Sequence, residues 1–190
     1  ILYEVESNIK NSQGYSESKG LLSAREAVCE HYRQLKVPSL NPDDVYIGNG
    51  VSELVVMALQ ALINNGDEVL IPAPDFPLWT AATSLCGGSP KHYICDESTG
   101  WEPDLDDIRT KISRRTKAIV IINPNNPTGS VYSKKTLESL IELARNHNLV
   151  VFSDEIYDKL LFDESHFQPT ATLAQDILTV TFSGLSKSYQ

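Results

Sequence analysis

Strand-length apolar runs alternate with stretches of helical periodicity along most of this chain. The clearest runs, at residues 118–122 and 149–152, contain apolar residues only. Such runs are typical of parallel strands that are covered on both faces. Between them, apolar residues recur about every 3.6 positions, which predicts an amphipathic helix that Ser133 caps. The alternation predicts an α/β fold with a mostly parallel sheet and helices on both faces.

The same patterns predict the remaining elements. Prolines at positions 72, 74 and 77 are expected to prevent regular structure between residue 71 and a helix that begins near Trp79. Strand ends at Asn123, Asp154 and Ser183 should meet at one edge of the sheet, and sites in open α/β sheets lie at that carboxyl edge. The predicted strands are residues 45–47, 68–71, 91–95, 118–122, 149–153 and 177–182, and the other predicted helices are residues 23–35, 54–63, 79–85 and 104–113.

Composition and charge narrow the classes of function. The chain has 190 residues, enough for one domain, and a net charge of −9 without any basic run. That balance argues against nucleic acid and against an anionic membrane surface as partners. No apolar run is long enough to span a membrane, and the N-terminal residues do not resemble a signal peptide. Because the first residue is not Met, we expect the chain to come from the inside of a longer protein.

Cysteines and histidines suggest neither a disulfide framework nor a metal site. The three cysteines form no CxxC pair, which favours a reduced, cytoplasmic protein in which they are small buried residues. The four histidines lack the spacing of metal ligands, so no metal is expected. These residues are Cys29, Cys86, Cys95, His31, His92, His147 and His166.

Lys187 is the first candidate for chemistry. It ends the sequence Ser-Gly-Leu-Ser-Lys at residues 183–187, directly after the apolar run at residues 177–182. A lysine at the mouth of a buried strand is expected to be desolvated. Desolvation favours the neutral amine, whose lone pair can form a Schiff base.

Other polar residues follow strands, and each has an ordinary structural explanation when taken singly. Asp154 follows a buried strand, where a carboxylate needs a cation or hydrogen bonds, but it could simply cap a loop. Tyr157 could pack in the core. The turn-rich residues 125–129 could be a tight connection with a cis Asn126-Pro127 bond. Gly48 and Gly50, between a strand and a helix, could be needed only for steric reasons or could form an anion site.

Together, the motifs resemble those of the class I and II aminotransferases, which are pyridoxal-phosphate (PLP) enzymes of fold type I. The elements that carry the resemblance are Asn-Asn-Pro-Thr-Gly at residues 125–129, Asp-x-x-Tyr at 154–157 and Ser-x-x-Ser-Lys at 183–187. The resemblance extends from Tyr15 to Lys187. Within the family, residues 14–21, 47–54, 72–79 and 95–98 are most similar to the bacterial glutamate–pyruvate (alanine) aminotransferases.

The resemblance implies roles around the ring of PLP. Lys187 would form a Schiff base with the cofactor and would then move the proton of the substrate. Asp154 would bind the ring nitrogen, and Tyr157 and Asn126 would donate to the ring oxygen O3′. Phe76, which could otherwise be an ordinary core residue, would stack on the ring.

It also implies a phosphate site and a partner subunit. Gly50, Val51 and Ser52 would hold the phosphate. Ser183 and Ser186 could also donate to it, although both could be strand-end caps. Tyr15 would reach the phosphate of a neighbouring subunit, which implies a homodimer.

Two departures from the family pattern are visible. Ser183 stands where the alanine subgroup has Asn. The chain ends at Gln190, before the positions of a phosphate-binding arginine, another strand and a small domain with a carboxylate-binding arginine. We therefore expect residues 1–190 to be a truncated PLP-binding large domain that lacks the small substrate-binding domain and is inactive alone. None of the arginines present matches those two positions: Arg25, Arg33, Arg109, Arg114, Arg115 and Arg145.

The function that the resemblance implies is transfer of an amino group between an amino acid, expected to be alanine, and a 2-oxo acid, expected to be 2-oxoglutarate. Its partners would be these small molecules and a second copy of the chain, with no nucleic acid and no membrane. Two alternatives stay open. One is a PLP-dependent C–S β-lyase of the same fold. The other is the non-catalytic effector domain of an aminotransferase-like transcription regulator.

Overall fold

A six-stranded sheet organises the chain in the computed structural model, which describes residues 2–12, 14–38, 40–162 and 165–189. Ile1 and Gln190, the two ends of the predicted domain, lie outside the described residues. The strands are β1 (Glu68–Ala73), β2 (Ser89–Asp96), β3 (Glu102–Pro103), β4 (Thr116–Ile122), β5 (Val150–Asp154) and β6 (Thr179–Phe182). The helices are α1 (Leu2–Asn8), α2 (Leu22–Gln34), α3 (Val51–Leu62), α4 (Leu78–Leu85), α5 (Leu105–Lys111) and α6 (Lys134–Asn146).

The strand order is β3-β2-β1-β4-β5-β6, and every pair is parallel except β2 with β3. The mostly parallel sheet that the sequence predicts is therefore confirmed. β5 is buried along its whole length, as its apolar run requires when helices cover both faces. β6 is an outer strand of this sheet.

Alternation along the strands divides the core between the two faces of the sheet. Ile119 and Ile121 pack on the face that α5 and α6 cover. Val120 and Ile122 point to the opposite face, which α3 and α4 cover. Side chains of a strand alternate with a period of two, so one apolar run supplies both layers. The expected helices on both faces are thus confirmed.

The predicted strand at residues 45–47 is wrong, and one helix was not predicted. Residues 45–47 join no ladder; the Ile47 N–H donates to the Lys19 carbonyl at 3.0 Å, a single bond to a loop. α1 was not predicted; it has only seven residues and none of them is buried. β1 continues through Pro72 to Ala73, since extended backbone suits the fixed φ of proline. The Ser133 cap is confirmed by a hydrogen bond from the Thr136 N–H at 3.1 Å.

Glu68 anchors the start of β1 at the edge of the sheet opposite to the carboxyl edge. Its side chain is buried and accepts hydrogen bonds from the Ser113 hydroxyl and, at 2.9 Å, from Arg115. The Ser113 hydrogen bond is the largest of the contacts that hold the pKa of Glu68 below its ordinary value, against the effect of burial. Glu68 therefore fastens β1 to the segment that leads into β4.

We expect Glu68→Gln to lower the free energy of unfolding at pH 7 by about 1–3 kcal/mol, because a charged acceptor is lost from a buried cluster. A carboxyl whose folded pKa is depressed stabilises the fold above its unfolded pKa and loses that contribution as the pH falls. The difference should therefore shrink below about pH 4.5. Urea unfolding from pH 7 to pH 3 measures it. Glu138→Gln, at an exposed position of α6, is the control, and equal effects of the two variants would contradict the prediction.

Candidate functional site

Three strand ends meet at the carboxyl edge of the sheet. Asp154 lies opposite Ile122 of β4 on one side and opposite Phe182 of β6 on the other. The Asn123 N–H donates to the Asp154 carbonyl at 3.0 Å, and the Glu155 N–H donates to the Phe182 carbonyl at 2.8 Å. The segments that carry the predicted residues of the sheet edge therefore lie side by side, as the parallel strands require.

Asp154 is a buried carboxylate, with 3% of its surface exposed. Its Oδ2 accepts a hydrogen bond from the Trp79 indole at 3.2 Å, and its Oδ1 accepts a longer one from the Ile156 N–H at 3.4 Å. Burial raises the pKa of Asp154, and these two hydrogen bonds oppose the rise. No cationic side chain of the described residues is paired with it. A buried carboxylate in this setting is suited to a cationic group that binds from outside.

Lys187 lies in the turn that follows β6, which the Tyr189 N–H closes by donating to the Leu185 carbonyl at 2.9 Å. Its Nζ lies 5.9 Å from the centroid of the Tyr157 ring, so the structure brings these two predicted residues together. The expected desolvation of Lys187 is wrong, because the residue is exposed. β6 is an outer strand, and the described part of the chain leaves the turn beyond it on the surface.

The connection after β4 is held by its own side chains. The Asn125 Oδ1 accepts from both the N–H and the hydroxyl of Thr128, and the Asn123 Oδ1 accepts from the Tyr132 N–H at 2.9 Å. The Asn126-Pro127 bond is cis, which the interpretation as a tight connection allowed. Asn126 itself is partly exposed. Within the described residues, the Nδ2 atoms of Asn123 and Asn125 are buried without a partner.

Phe76 lies between β1 and α4 and is partly buried at the rim of the core on the α3 and α4 face. It therefore combines core packing with an accessible part. Trp79, three residues later, is fully buried. In the sequence, Trp79 marks the start of a predicted helix and the end of the stretch 72–79 that resembles the alanine subgroup. Neither feature indicates its hydrogen bond to Asp154.

The N-terminus of α3 forms a second part of the edge. Gly50 precedes the helix with φ 84° and ψ 167°, a conformation that is essentially restricted to glycine. No described residue accepts a hydrogen bond from the amides of Val51 or Ser52. A Cβ on Gly184 would lie 3.9 Å from the Val51 side chain, so the end of β6 lies beside this helix start. Free amides and the helix dipole together favour an anion.

The other three predicted residues, Ser183, Ser186 and Tyr15, lie in different surroundings. Ser183 faces the phenol of Tyr32, whose pKa is raised mainly by burial. Ser186 is exposed in the turn next to Lys187. Tyr15 is fully exposed, so the described residues do not bring its side chain into this edge.

Glu155 follows Asp154 but belongs to a separate network. It is buried and accepts from the Thr170 N–H and the Ser153 hydroxyl, both at 2.9 Å. Burial raises its pKa to about 7. Glu155 has no signal in the sequence that predicts this burial, because a glutamate after a strand usually lies in an exposed loop.

Comparisons with known proteins agree with this architecture. The profile of the family described as "Aminotransferase class I and II" matches residues 4–190. The chain is 59% identical to glutamate-pyruvate aminotransferase AlaA of Escherichia coli K12 over 190 residues, 100% of this chain and 47% of that protein. It is 54% identical to an alanine aminotransferase of Mycobacterium tuberculosis H37Rv over 191 residues, 100% of this chain and 44% of that protein.

A crystal structure of an aminotransferase from Escherichia coli superimposes with a TM-score of 0.98 at 59% identity, over 99% of this chain and 46% of that chain. This chain thus spans about half the length of these relatives. Because all three are named as aminotransferases, they do not favour the β-lyase or the transcription regulator. No helix of the described residues has the length and apolar character needed to cross a membrane.

Proposed function

Because the chain belongs to the class I and II aminotransferase family, we propose that the complete protein transfers an amino group between alanine and 2-oxoglutarate, with PLP as its cofactor. The names of the relatives at 54–59% identity support this choice of substrates. The observation that carries the proposal is the buried Asp154 carboxylate, which is paired with no cationic side chain of the described residues. Residues 1–190 would form part of the PLP-binding large domain that contains this site.

The residues of the edge fit the cofactor. The Asp154 carboxylate would hold the positive charge of the ring nitrogen, with Oδ1 carrying only one long hydrogen bond. The free amides of Val51 and Ser52, after Gly50, would hold the phosphate. Asn126 and Tyr157 would donate to the ring oxygen, and Phe76 would cover one face of the ring. Ser183 and Ser186 would supply further hydroxyl donors to the phosphate.

The chemistry divides between cofactor and chain. When bound, PLP supplies a ring that accepts the electrons left behind when a proton leaves the substrate α-carbon. The Lys187 amine would attach the cofactor and, once substrate has displaced it, would accept that proton at Nζ. Its exposed position allows both exchanges. Tyr157, whose ring centroid is 5.9 Å from Nζ, would orient the amine.

A homodimer is the proposed assembly, with Tyr15 reaching the phosphate site of the partner. Tyr15 is fully exposed, and α1 exposes Leu2, Tyr3 and Val5. Exposed apolar surface of this kind is suited to a protein interface. A cytoplasmic location is proposed because the cysteines are free thiols.

The decisive test is an amino-group transfer assay on the complete protein. Incubation of PLP-loaded protein with alanine and 2-oxoglutarate should produce pyruvate and glutamate in equal amounts. Cystathionine should release no thiol. Release of thiol and pyruvate without glutamate would support the β-lyase instead, and failure to bind PLP would refute both enzymes. Use of another amino donor would refute only the choice of alanine.

Gly50→Ala should weaken PLP binding through the phosphate. A Cβ at Gly50 meets no atom within 4 Å, but the residue has φ 84°. Adoption of that conformation by alanine costs about 1–3 kcal/mol, so the loop should shift and turn its amides away. We expect the Kd of PLP to rise by about tenfold or more, whereas that of pyridoxal, which has no phosphate, should change little.

Gly66→Ala is the matched control, because Gly66 also has a positive φ, 85°, and open space at its Cβ, but follows the other end of α3. It should lose stability without loss of PLP affinity. Isothermal titration of both variants with PLP and pyridoxal separates the two effects. Equal loss of affinity for both ligands would contradict a phosphate site at Gly50.

A further inference from the structure

Trp79 makes a contact that the proposed chemistry does not explain by itself. Its Nε1–H donates to the Asp154 Oδ2 at 3.2 Å, across 75 positions of sequence. In the described part of the chain it is the one side chain that is hydrogen-bonded to this carboxylate. We propose that Trp79 is a positioning residue that keeps the Asp154 carboxylate ionised and aimed at the ring nitrogen of the cofactor. This inference rests on the proposed function.

The indole is fixed by the strands that frame the site. Trp79 is fully buried, its ring is perpendicular to Phe182 at 5.3 Å between centroids, and it lies 5.8 Å from Phe152. Phe152 precedes Asp154 by two residues on β5, so both side chains emerge on the same face of the sheet. The indole therefore has little freedom to turn, and its N–H direction is set by packing.

The hydrogen bond selects one charge state of Asp154. An indole N–H can only donate, so it requires an oxygen acceptor and favours the carboxylate. Burial raises the pKa of Asp154, while the Trp79 and Ile156 hydrogen bonds lower it, and no charged group of the described residues contributes. A protonated Asp154 would not neutralise a cationic ring nitrogen. Because Trp79 takes up Oδ2, the less engaged Oδ1 is left for the cofactor.

The experiment removes the N–H and retains the aromatic ring. Trp79→Phe in the complete protein removes the N–H and keeps an aromatic ring, although a smaller one. Replacement of Trp79 by benzothienylalanine, which has sulfur in place of the N–H, keeps the bicyclic shape if the phenylalanine variant does not fold. Phe182→Leu is the control, because it disturbs the same aromatic cluster without removing a hydrogen bond to Asp154.

The first measurement uses protein without cofactor. The 13C signal of the Asp154 carboxyl is followed against pH in protein labelled at aspartate Cγ and is assigned by its loss in Asp154→Asn. Loss of the Trp79 N–H should shift the protonation equilibrium about tenfold or more towards the acid, an upward shift of at least about one pH unit. Phe182→Leu should leave the midpoint of the Asp154 titration unchanged. An unchanged titration in both Trp79 variants would overturn the proposal.

The second measurement links the effect to the ring nitrogen. The Kd of PLP should rise about tenfold in the Trp79 variants, whereas that of 1-deaza-PLP, which has carbon in place of the ring nitrogen, should stay the same. An equal rise in the Kd of both ligands would overturn the proposal that Trp79 aims the Asp154 carboxylate at the ring nitrogen. If the protein binds no PLP but the titration still moves, the proposed function fails while the Trp79–Asp154 coupling stands.

Discussion

Lys187→Ala should lower the turnover number of the complete protein by about four orders of magnitude or more, because one amine supplies both the covalent attachment of PLP and the proton transfer at the substrate α-carbon. Lys187 is exposed among the described residues, so its replacement by alanine removes no buried packing there. Stability should therefore stay close to that of the unchanged protein. The loss should lie in chemistry, and a single-turnover reaction with alanine measures it directly.

Lys117→Ala is the matched control, since Lys117 is an exposed lysine near the start of β4, at the edge of the sheet opposite to the carboxyl edge. It should keep full turnover and the visible absorbance of bound cofactor, which Lys187→Ala should lose. Undiminished transamination by Lys187→Ala would refute the mechanism. Retention of the absorbance with loss of turnover would limit Lys187 to proton transfer.

Asp154→Asn should slow proton removal from alanine by about a hundredfold or more, because the ring nitrogen loses the negative charge that keeps it protonated. The fold should survive, since an asparagine carbonyl can still accept the Trp79 hydrogen bond. Single-turnover rates with ordinary and Cα-deuterated alanine measure this step. A larger isotope effect in the variant would locate the loss at proton removal.

Asp176→Asn serves as the control, because Asp176 is exposed just before β6, at the opposite edge of the sheet, and pairs with Arg145. It should react at the normal rate. An equally fast proton removal in Asp154→Asn would show that the buried carboxylate only supports the structure. Unfolding of Asp154→Asn at the assay temperature would contradict the expectation that its fold survives.

The strands were the most predictable part of the fold. The apolar run at residues 118–122 extends through both layers of the core and identifies β4 without further information. The strand predicted at residues 45–47 is wrong because the prediction took a short apolar run as a sign of burial. Only Val45 of the three residues is buried. A ladder needs a partner strand as well, and the run itself carries no information about one.

Part of the candidate site also followed from sequence order. Parallel strands end at one edge, so Asn123, Asp154 and Ser183 had to lie along that edge once the strands were identified. The environment of Lys187 was not predictable in the same way. The apolar run before it indicated a buried strand, but β6 is the outer strand, and strand order is not encoded in any single run.

The sequence by itself determined the α/β class, the positions of most strands and helices, and the motifs that identify the family, because local periodicity records which face each element buries. The tertiary structure alone decided that Lys187 is exposed and that the Trp79 indole contacts Asp154. Both depend on which strand lies at the edge and on how α4 packs against β5. Those arrangements arise from contacts between residues far apart in the chain, where no local pattern records them.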